Sequence, residues 1–230
     1  MHPDFFGRPN RMQSKSASIR VNEIRSTLEP YGFAPTEKQS ALIGAYIELL
    51  LKWNRVVSLT AVTNPFEIVG RHVGESAFLT KVLAVENCRL VDIGTGAGFP
   101  GLALKIAEPS IRLTLIESNK KKGAFLSEVV RALEFRDVEI RTERFEEIRT
   151  QNIEANVITA RAVGEFKELL RWSKNSLTHR GHVALWVGAD DSTRISSNPA
   201  WIWQPAARIP ESQRRYILIG RPKELPEGAH

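Results

Sequence analysis

The sequence predicts a doubly wound α/β protein, a parallel sheet with helices on both faces, preceded by a helical N-terminal segment. Three observations predict it. An apolar run ending at Ile93 feeds a glycine-rich loop, Gly94-Thr95-Gly96-Ala97-Gly98, that opens a helix. A second apolar run, 111–116, ends on an acid, Glu117, about twenty residues further on, which is the spacing of a βαβ unit. Strand-like and helix-like patterns then alternate along the rest of the chain.

Taken in order, residues 1–17 are polar, Ser-rich and basic (Arg8, Arg11, Lys15), a composition that predicts a loosely attached tail. A first helix is expected over 18–28 with Ile19, Ile24 and Leu28 inward, broken by Pro30 and Gly32. Thr36-Glu37-Lys38-Gln39 is a capping box, and Leu42, Ile43, Tyr46, Leu49, Leu50 and Trp53 recur behind it at helical spacing. Asn64-Pro65-Phe66-Glu67 repeats that logic, with Asn as the cap, and starts a helix carrying Ile68, Val69, His72, Ser76, Phe78, Leu79 and Val82. These helices make a segment over 18–86, followed by the α/β part over 87–222 and a short tail over 223–230. Strands are expected at 89–93, 111–116, 138–141, 155–159 and 182–187, with helices at 100–107, 119–134 and 165–177. Two antiparallel strands at 201–207 and 214–219, bounded by Asn198-Pro199 and Pro210-Glu211-Ser212, complete a seven-stranded sheet. The helix expected between 188 and 198 has the faintest pattern.

With 230 residues, 42% of them hydrophobic, the chain can bury one substantial core. Its single cysteine, Cys88, excludes an intramolecular disulfide and a thiolate metal cluster, and suits a reducing cytoplasm. The five histidines, His2, His72, His179, His182 and His230, form no ligand set with carboxylates or thiols, so no metal is expected. No apolar run is long enough for a membrane span, and no apolar core follows the basic N-terminus, which predicts a cytoplasmic protein off the membrane. A net charge of +6 and a pI near 9.6 favour a polyanionic partner, because clustered Lys and Arg gain affinity by releasing counterions from phosphates. A monomer is expected.

Glycines at 94, 96 and 98 let the backbone turn sharply and approach a ligand that any Cβ would hold away, and the helix start behind them offers unpaired N–H groups. That combination implies a nucleoside cofactor. Gly96 and Gly101 have P-loop spacing, but Leu102-Ala103 stands where Lys-Ser or Lys-Thr would grip a triphosphate. The dinucleotide fingerprint needs a third glycine where Phe99 stands. The pattern present, Asp92-x-Gly-x-Gly-x-Gly, is similar to motif I of S-adenosylmethionine-dependent methyltransferases, whose cationic, phosphate-free cofactor suits an acidic flank. Asp92, Gly94, Thr95, Gly96, Gly98 and Phe99 are therefore candidate cofactor residues. Glu117, with Ser118 after it, is placed to accept both ribose hydroxyls, the alternative being a solvated acid at a strand end.

Further candidates lie at later strand ends, over the crevice where α/β proteins bind ligands. In Arg144-Phe145-Glu146-Glu147, Phe145 would pack near the adenine and Glu146 would accept its amino group, unless this is an ordinary charged surface loop. Arg161 ends the fourth strand and would lie beside the transferred methyl, contacting the cofactor carboxylate or an RNA phosphate. Absences narrow the chemistry. Pyrimidine C5 methylation requires a cysteine nucleophile, and Cys88 precedes the first strand. Ala160-Arg161-Ala162-Val163 replaces the Asn/Asp-Pro-Pro-aromatic loop common in amino-group methylation. A ring nitrogen with a free lone pair, such as guanine N7, needs neither device; alignment of the lone pair with the S–CH3 bond suffices.

On these residues the chain resembles the bacterial small-subunit ribosomal RNA methyltransferase G family, also called glucose-inhibited division protein B, whose members methylate N7 of a guanine in 16S rRNA. The resemblance runs from about Thr36 to Gly220 and rests on Ser58-Leu59-Thr60-Ala61, Arg71-His72, Glu75-Ser76, Asp92 to Gly101, Arg144 to Glu147, Thr159 to Val163, and Arg214 to Ile219. It implies S-adenosylmethionine as cofactor, 16S rRNA or the 30S subunit as partner, and contacts to the cofactor from Gly94, Phe99, Phe145, Glu146 and Arg161. It further implies RNA contacts from Arg71, His72, Arg161 and Arg215, with Arg161 at the reacting centre. Two departures stand out. The family's Asp in the Arg-His helix is Glu75 here, and the lysine of its Ala-Leu-Lys-Gly is replaced by Trp186 in Ala184-Leu185-Trp186-Val187-Gly188. Trp186 would stack on guanine or fill the strand core. A small-molecule methyltransferase and a non-catalytic ribosome-binding factor remain the alternatives.

Overall fold

The computed structural model describes residues 20–161, 164 and 166–223. The basic tail expected over 1–17 lies outside them, as do Ala162, Val163 and 224–230.

The helical segment starts with α1 (Val21–Leu28) and a single 3₁₀ turn (Glu29–Tyr31) closed by Gly32 in the left-handed region. The capping box forms: α2 (Glu37–Trp53) begins where Thr36 Oγ1 accepts from Gln39 N at 3.2 Å and Gln39 Oε1 accepts from Thr36 N at 2.9 Å. Asn64 Oδ1 likewise accepts from Phe66 N and Glu67 N to start α3 (Pro65–Ile68). The single helix expected here is interrupted by a wide π turn (Val69–Gly74) before α4 (Glu75–Ala77) and α5 (Leu79–Val82). The Tyr31 ring presses onto this turn so closely that a Cβ on Gly74 would lie 2.5 Å from Tyr31 Cδ2.

Among the described residues eight strands form one sheet: β1 (Arg89–Ile93), β2 (Arg112–Ile116), β3 (Val138–Arg141), β4 (Ala155–Arg161), β5 (Leu177–Gly188), β6 (Trp201–Trp203), β7 (Ala207–Arg208) and β8 (Arg215–Pro222). Their order is β3-β2-β1-β4-β5-β8-β6, with β7 also on β8. The first five are parallel, and β8 runs antiparallel between β5 and β6. The expected strand 201–207 is two strands. β6 pairs with the end of β8 (Trp203↔Gly220) and β7 with its start (Ala207↔Ile217); Pro205, which has no N–H to give a ladder, stands between them. β5 also begins earlier than expected, Leu177 pairing with Ala155 ahead of a bulge. Helices α6 (Gly101–Ala107), α7 (Lys120–Ala132), α8 (Phe166–Ser176) and α9 (Ala189–Ser196) connect the strands.

Alternation along the strands sends side chains to two cores. Leu90, Leu113, Leu115, Ala184 and Trp186 face α6 and α7, where Leu102 and Phe125 meet Ile24, Ile43, Tyr46, Leu50 and Val73 of the helical segment. Val91, Ile93, Ile158, Val183 and Leu185 face Leu169, Leu170, Trp172 and Ile195 of α8 and α9. The helical segment and the sheet therefore share a core, and the π turn is brought to the carboxyl ends of β1 and β4.

Candidate active site

The loop after β1 is built around Asp92, which is fully buried. Its Oδ1 accepts from Thr159 Oγ1 at 2.8 Å on β4, and its Oδ2 accepts from Thr95 Oγ1 and from Gly101 N at 3.0 Å, so one carboxylate ties strand, loop and helix start together. Burial pushes its pKa up to about 6, against the hydrogen bonds that pull it down. Both oxygens of Asp92 thus face the protein, as does the Thr95 hydroxyl.

Gly94, Gly96 and Gly98 all have positive φ, at 65°, 59° and 94°. At Gly98 the reason is doubled, because a Cβ there would lie 2.5 Å from Leu102 Cδ1 and 2.6 Å from the Tyr46 hydroxyl. Gly96 has open space instead, with Gly94 O at 3.9 Å as its nearest neighbour. The Tyr46 hydroxyl, from α2, donates to Ala97 O and fixes the loop from below. Phe99 is buried between Tyr46 and His72, with ring centroids 5.2 and 4.9 Å away.

Glu117, at the end of β2, is 6% exposed and holds two backbone amides: Oε2 accepts from Gly96 N at 2.9 Å and Oε1 from Asn119 N at 2.8 Å. Each oxygen keeps a further lone pair for a hydroxyl. A cavity of about 180 Å³ opens here, lined by Ile93, Gly94, Ile116, Glu117, Ser118 and Glu143 to Glu146. Phe145 meets Trp172 edge-on at 5.9 Å, and Trp172 Nε1 donates to Ile148 O at 3.1 Å, which props the Phe145-Glu146 turn against α8. Gly94, Glu117, Ser118, Phe145 and Glu146 are thus gathered around one cavity.

The remaining candidates gather at a second recess of about 270 Å³, lined by Glu75, Arg161, Phe166, Trp186, Val187, Gly188, Asp191 and Arg215. Glu75 is 1% exposed and is paired twice, with Arg161 Nη2 3.3 Å from Oε2 and Arg215 Nη2 2.7 Å from Oε1. Neither contact is aligned as a hydrogen bond. Burial raises the Glu75 pKa, partly offset by Arg161, Arg215 and Arg71. Arg161 Nη2 also donates to Arg71 O at 3.1 Å, while its buried Nη1 has no hydrogen-bond partner among the described residues. Arg71 turns its own guanidinium outward to Glu67, 2.5 Å away. His72 packs on Phe99 with Nε2 3.0 Å from Thr60 Oγ1, and burial, with Arg161 and Arg71 nearby, lowers its pKa to about 4. It is a neutral ring at the joint between π turn and loop.

Of the two readings open for Trp186, the core is what the structure shows: the ring is 7% exposed and its Nε1 donates to Glu75 O at 3.0 Å, leaving one edge on the recess. Sequence reasoning missed Glu75 as a site residue. Its signal was the spacing of Arg71, His72 and Glu75, which the π turn alters from a plain helical face.

The structure and the sequence are both similar to known proteins. Solved structures with the same fold include the ribosomal protein L11 methylase from Lactobacillus delbrueckii subsp. bulgaricus (TM-score 0.56, 14% identity, 67% of this chain and 80% of that one). Another is an S-adenosylmethionine-dependent methyltransferase from Aquifex aeolicus (TM-score 0.56, 13% identity, 68% and 93%). Among sequences, the ribosomal RNA small subunit methyltransferase G of Mesoplasma florum is 34% identical over 170 residues, 73% of this chain and 72% of that protein. Its namesake from Xylella fastidiosa strain M23 is 34% identical over 209 residues, 86% and 95% of the two chains. The model of that family matches residues 39–204, which span nearly all of α2, the π turn, the glycine loop and Arg161. The chain belongs to the rRNA small subunit methyltransferase G family.

Proposed function

We propose that this protein transfers a methyl group from S-adenosylmethionine to N7 of a guanine in small-subunit (16S) ribosomal RNA. The observation that carries the reading is the juxtaposition of two recesses at the carboxyl ends of neighbouring parallel strands. One is built of glycine backbone and the acid of Glu117, the other of Arg161, Arg215 and Trp186. The first fits a nucleoside: Gly94 is exposed at its mouth, Glu117 has lone pairs left for ribose hydroxyls, and Phe145 and Glu146 supply an apolar face and an acceptor. The unpartnered Arg161 Nη1 is a donor left over for an anionic group, whether the cofactor's carboxylate or an RNA phosphate.

When bound, S-adenosylmethionine supplies an electrophilic methyl on a cationic sulfur. The protein's own part is to place and to dry. Guanine N7 carries its lone pair without deprotonation, so no general base is needed and rate enhancement comes from proximity and orientation. Arg161 fixes the acceptor against the cofactor end of β4, and Trp186 and Phe166 exclude water from the recess. This reading places the protein in the cytoplasm, acting as a monomer on 16S rRNA or the 30S subunit without a metal.

The test is transfer of labelled methyl from S-adenosylmethionine to small-subunit RNA taken from a strain lacking the enzyme, followed by nucleoside mass spectrometry. 7-Methylguanosine at one site is the expected product. Cofactor binding with no transfer to RNA or to stripped 30S particles would replace this reading with the non-catalytic ribosome-binding factor.

A further inference from the structure

We propose that Glu75 is a positioning residue for methyl transfer, the shared counter-ion that holds Arg161 and Arg215 at the acceptor recess while keeping them from gripping RNA phosphate there. The inference rests on the rRNA methyltransferase reading and extends it to a residue that need touch neither substrate.

Three features of the geometry lead to it. The two arginines come from elements far apart in sequence, β4 and β8, and meet only through the two oxygens of one carboxylate. That carboxylate is 1% exposed and has no aligned hydrogen bond, so its interactions are electrostatic ones with the two guanidinium groups. Its position is fixed independently of them, since the Glu75 backbone carbonyl accepts from Trp186 Nε1 at 3.0 Å and the preceding π turn offers Arg71 O to Arg161 at 3.1 Å.

The charge arithmetic gives the consequence. Arg161, Arg215 and Glu75 together carry one net positive charge, and Asp191, which also lines the recess, is paired with Arg194 at 2.6 Å, so the cluster attracts RNA less strongly than two free arginines would. Removing the carboxylate adds a unit of phosphate-attracting charge and also frees both side chains to follow a phosphate. Binding and turnover should then move in opposite directions, because the extra affinity is for the backbone and not for the aligned base. A residue that merely supported the fold would lower both.

The experiment compares wild type, Glu75→Gln and Glu75→Asp as full-length proteins on small-subunit RNA. It measures kcat and KM for methyl transfer, S-adenosylmethionine affinity, and the salt dependence of RNA binding. For Glu75→Gln we expect kcat to fall about tenfold or more, KM for RNA to fall or hold, cofactor affinity to stay within about threefold, and the log K against log[salt] slope to steepen by about one unit. Glu75→Asp keeps the charge and shortens the reach, so its slope should match wild type with kcat between the other two. Unchanged kcat and slope in Glu75→Gln would overturn the proposal, as would kcat and RNA affinity falling together. Loss of a buried charge partner can unfold a protein; should Glu75→Gln not fold, Glu75→Asp carries the test, and kcat and RNA affinity falling together in that variant, or a salt slope unlike wild type, would overturn it equally. A wild type that makes no 7-methylguanosine would sink the functional reading alone, and the binding slopes would still decide the role of Glu75.

Discussion

The imidazole of His72 lies 4.9 Å from the ring of Phe99, tilted by 34°, and joins the π turn to the glycine loop. Because its folded pKa is about 4 against an ordinary 6.5, the neutral form is the one the fold accommodates. Its stabilising contribution is full above pH 6.5 and is lost as pH falls toward 4, up to about 3 kcal/mol. Urea unfolding of wild type and His72→Gln at pH 7 and pH 4.5 should show the wild-type advantage shrinking at the lower pH.

Asp92 gives the opposite sign. Its folded pKa, about 6, is above the ordinary 3.8, so the protonated form is favoured in the folded state. Stability from this group is full below about pH 4 and declines as pH rises through 6, by on the order of 2–3 kcal/mol. Asp92→Asn cannot ionise and can still accept from Thr95 and Gly101 through its carbonyl oxygen. The stability difference between wild type and Asp92→Asn should therefore move against wild type between pH 4 and pH 6, measured by chemical denaturation. A difference independent of pH would show that Asp92 does not titrate in this window.

At the glycine loop, Gly98→Ala and Gly96→Ala should differ. Both place a Cβ on a positive-φ residue, a strain of about 1 kcal/mol or more. Only Gly98→Ala also drives that carbon into Leu102 and Tyr46, adding about 1–3 kcal/mol of overpacking. Thermal unfolding should rank wild type above Gly96→Ala above Gly98→Ala. Gly96→Ala faces open space and should show its larger effect on S-adenosylmethionine affinity, measured by calorimetry.

Arg161→Lys keeps the charge, but one ammonium cannot both take the place of Nη2, which reaches Glu75 and Arg71 O, and leave a second donor in the place of Nη1. Methyl transfer to small-subunit RNA should fall by about tenfold or more while the melting temperature changes little, since Glu75 keeps Arg215. Wild-type turnover in Arg161→Lys would reduce Arg161 to a point charge.

Trp186→Lys introduces the lysine that the sequence resemblance leads one to expect at this position and should not raise activity here. The substitution removes a ring that is 7% exposed, loses the donor to Glu75 O and sets an ammonium beside Arg161 and Arg215. Destabilisation of about 3–5 kcal/mol is expected, against about 1 kcal/mol for loss of the hydrogen bond alone in Trp186→Phe, with denaturant midpoints as the readout.

Much of this molecule was legible from local pattern. The capping box at Thr36, the Asn64 cap, the β1 loop and the acid at the end of β2 are each specified by a few adjacent residues with one physical role. Glu117 was readable for the same reason, since its distance along the chain from the loop is set by one βαβ crossover. Glu75 was not, because its importance depends on two arginines 86 and 140 residues later, brought to it by strand register that no local pattern states. Asp92 shows the converse case. The motif placed it among the cofactor residues, whereas packing shows its hydrogen bonds among the described residues running to Thr95, Gly101 and Thr159. The strand expected over 201–207 failed on Pro205, a signal that was present beside the apolar Trp201-Ile202-Trp203 run that precedes it.

The antiparallel β8 between β5 and β6 has a consequence for biosynthesis. A chain that ends after α9 contains every residue of the cofactor cavity and of the π turn, yet its Glu75 has Arg161 alone and its β5 has a bare edge. Arg215 is the first residue of the strand that covers that edge. Closing the sheet and completing the arginine pair are thus one late event, so a nascent or truncated chain carries no finished acceptor recess while ribosomal RNA surrounds it during translation.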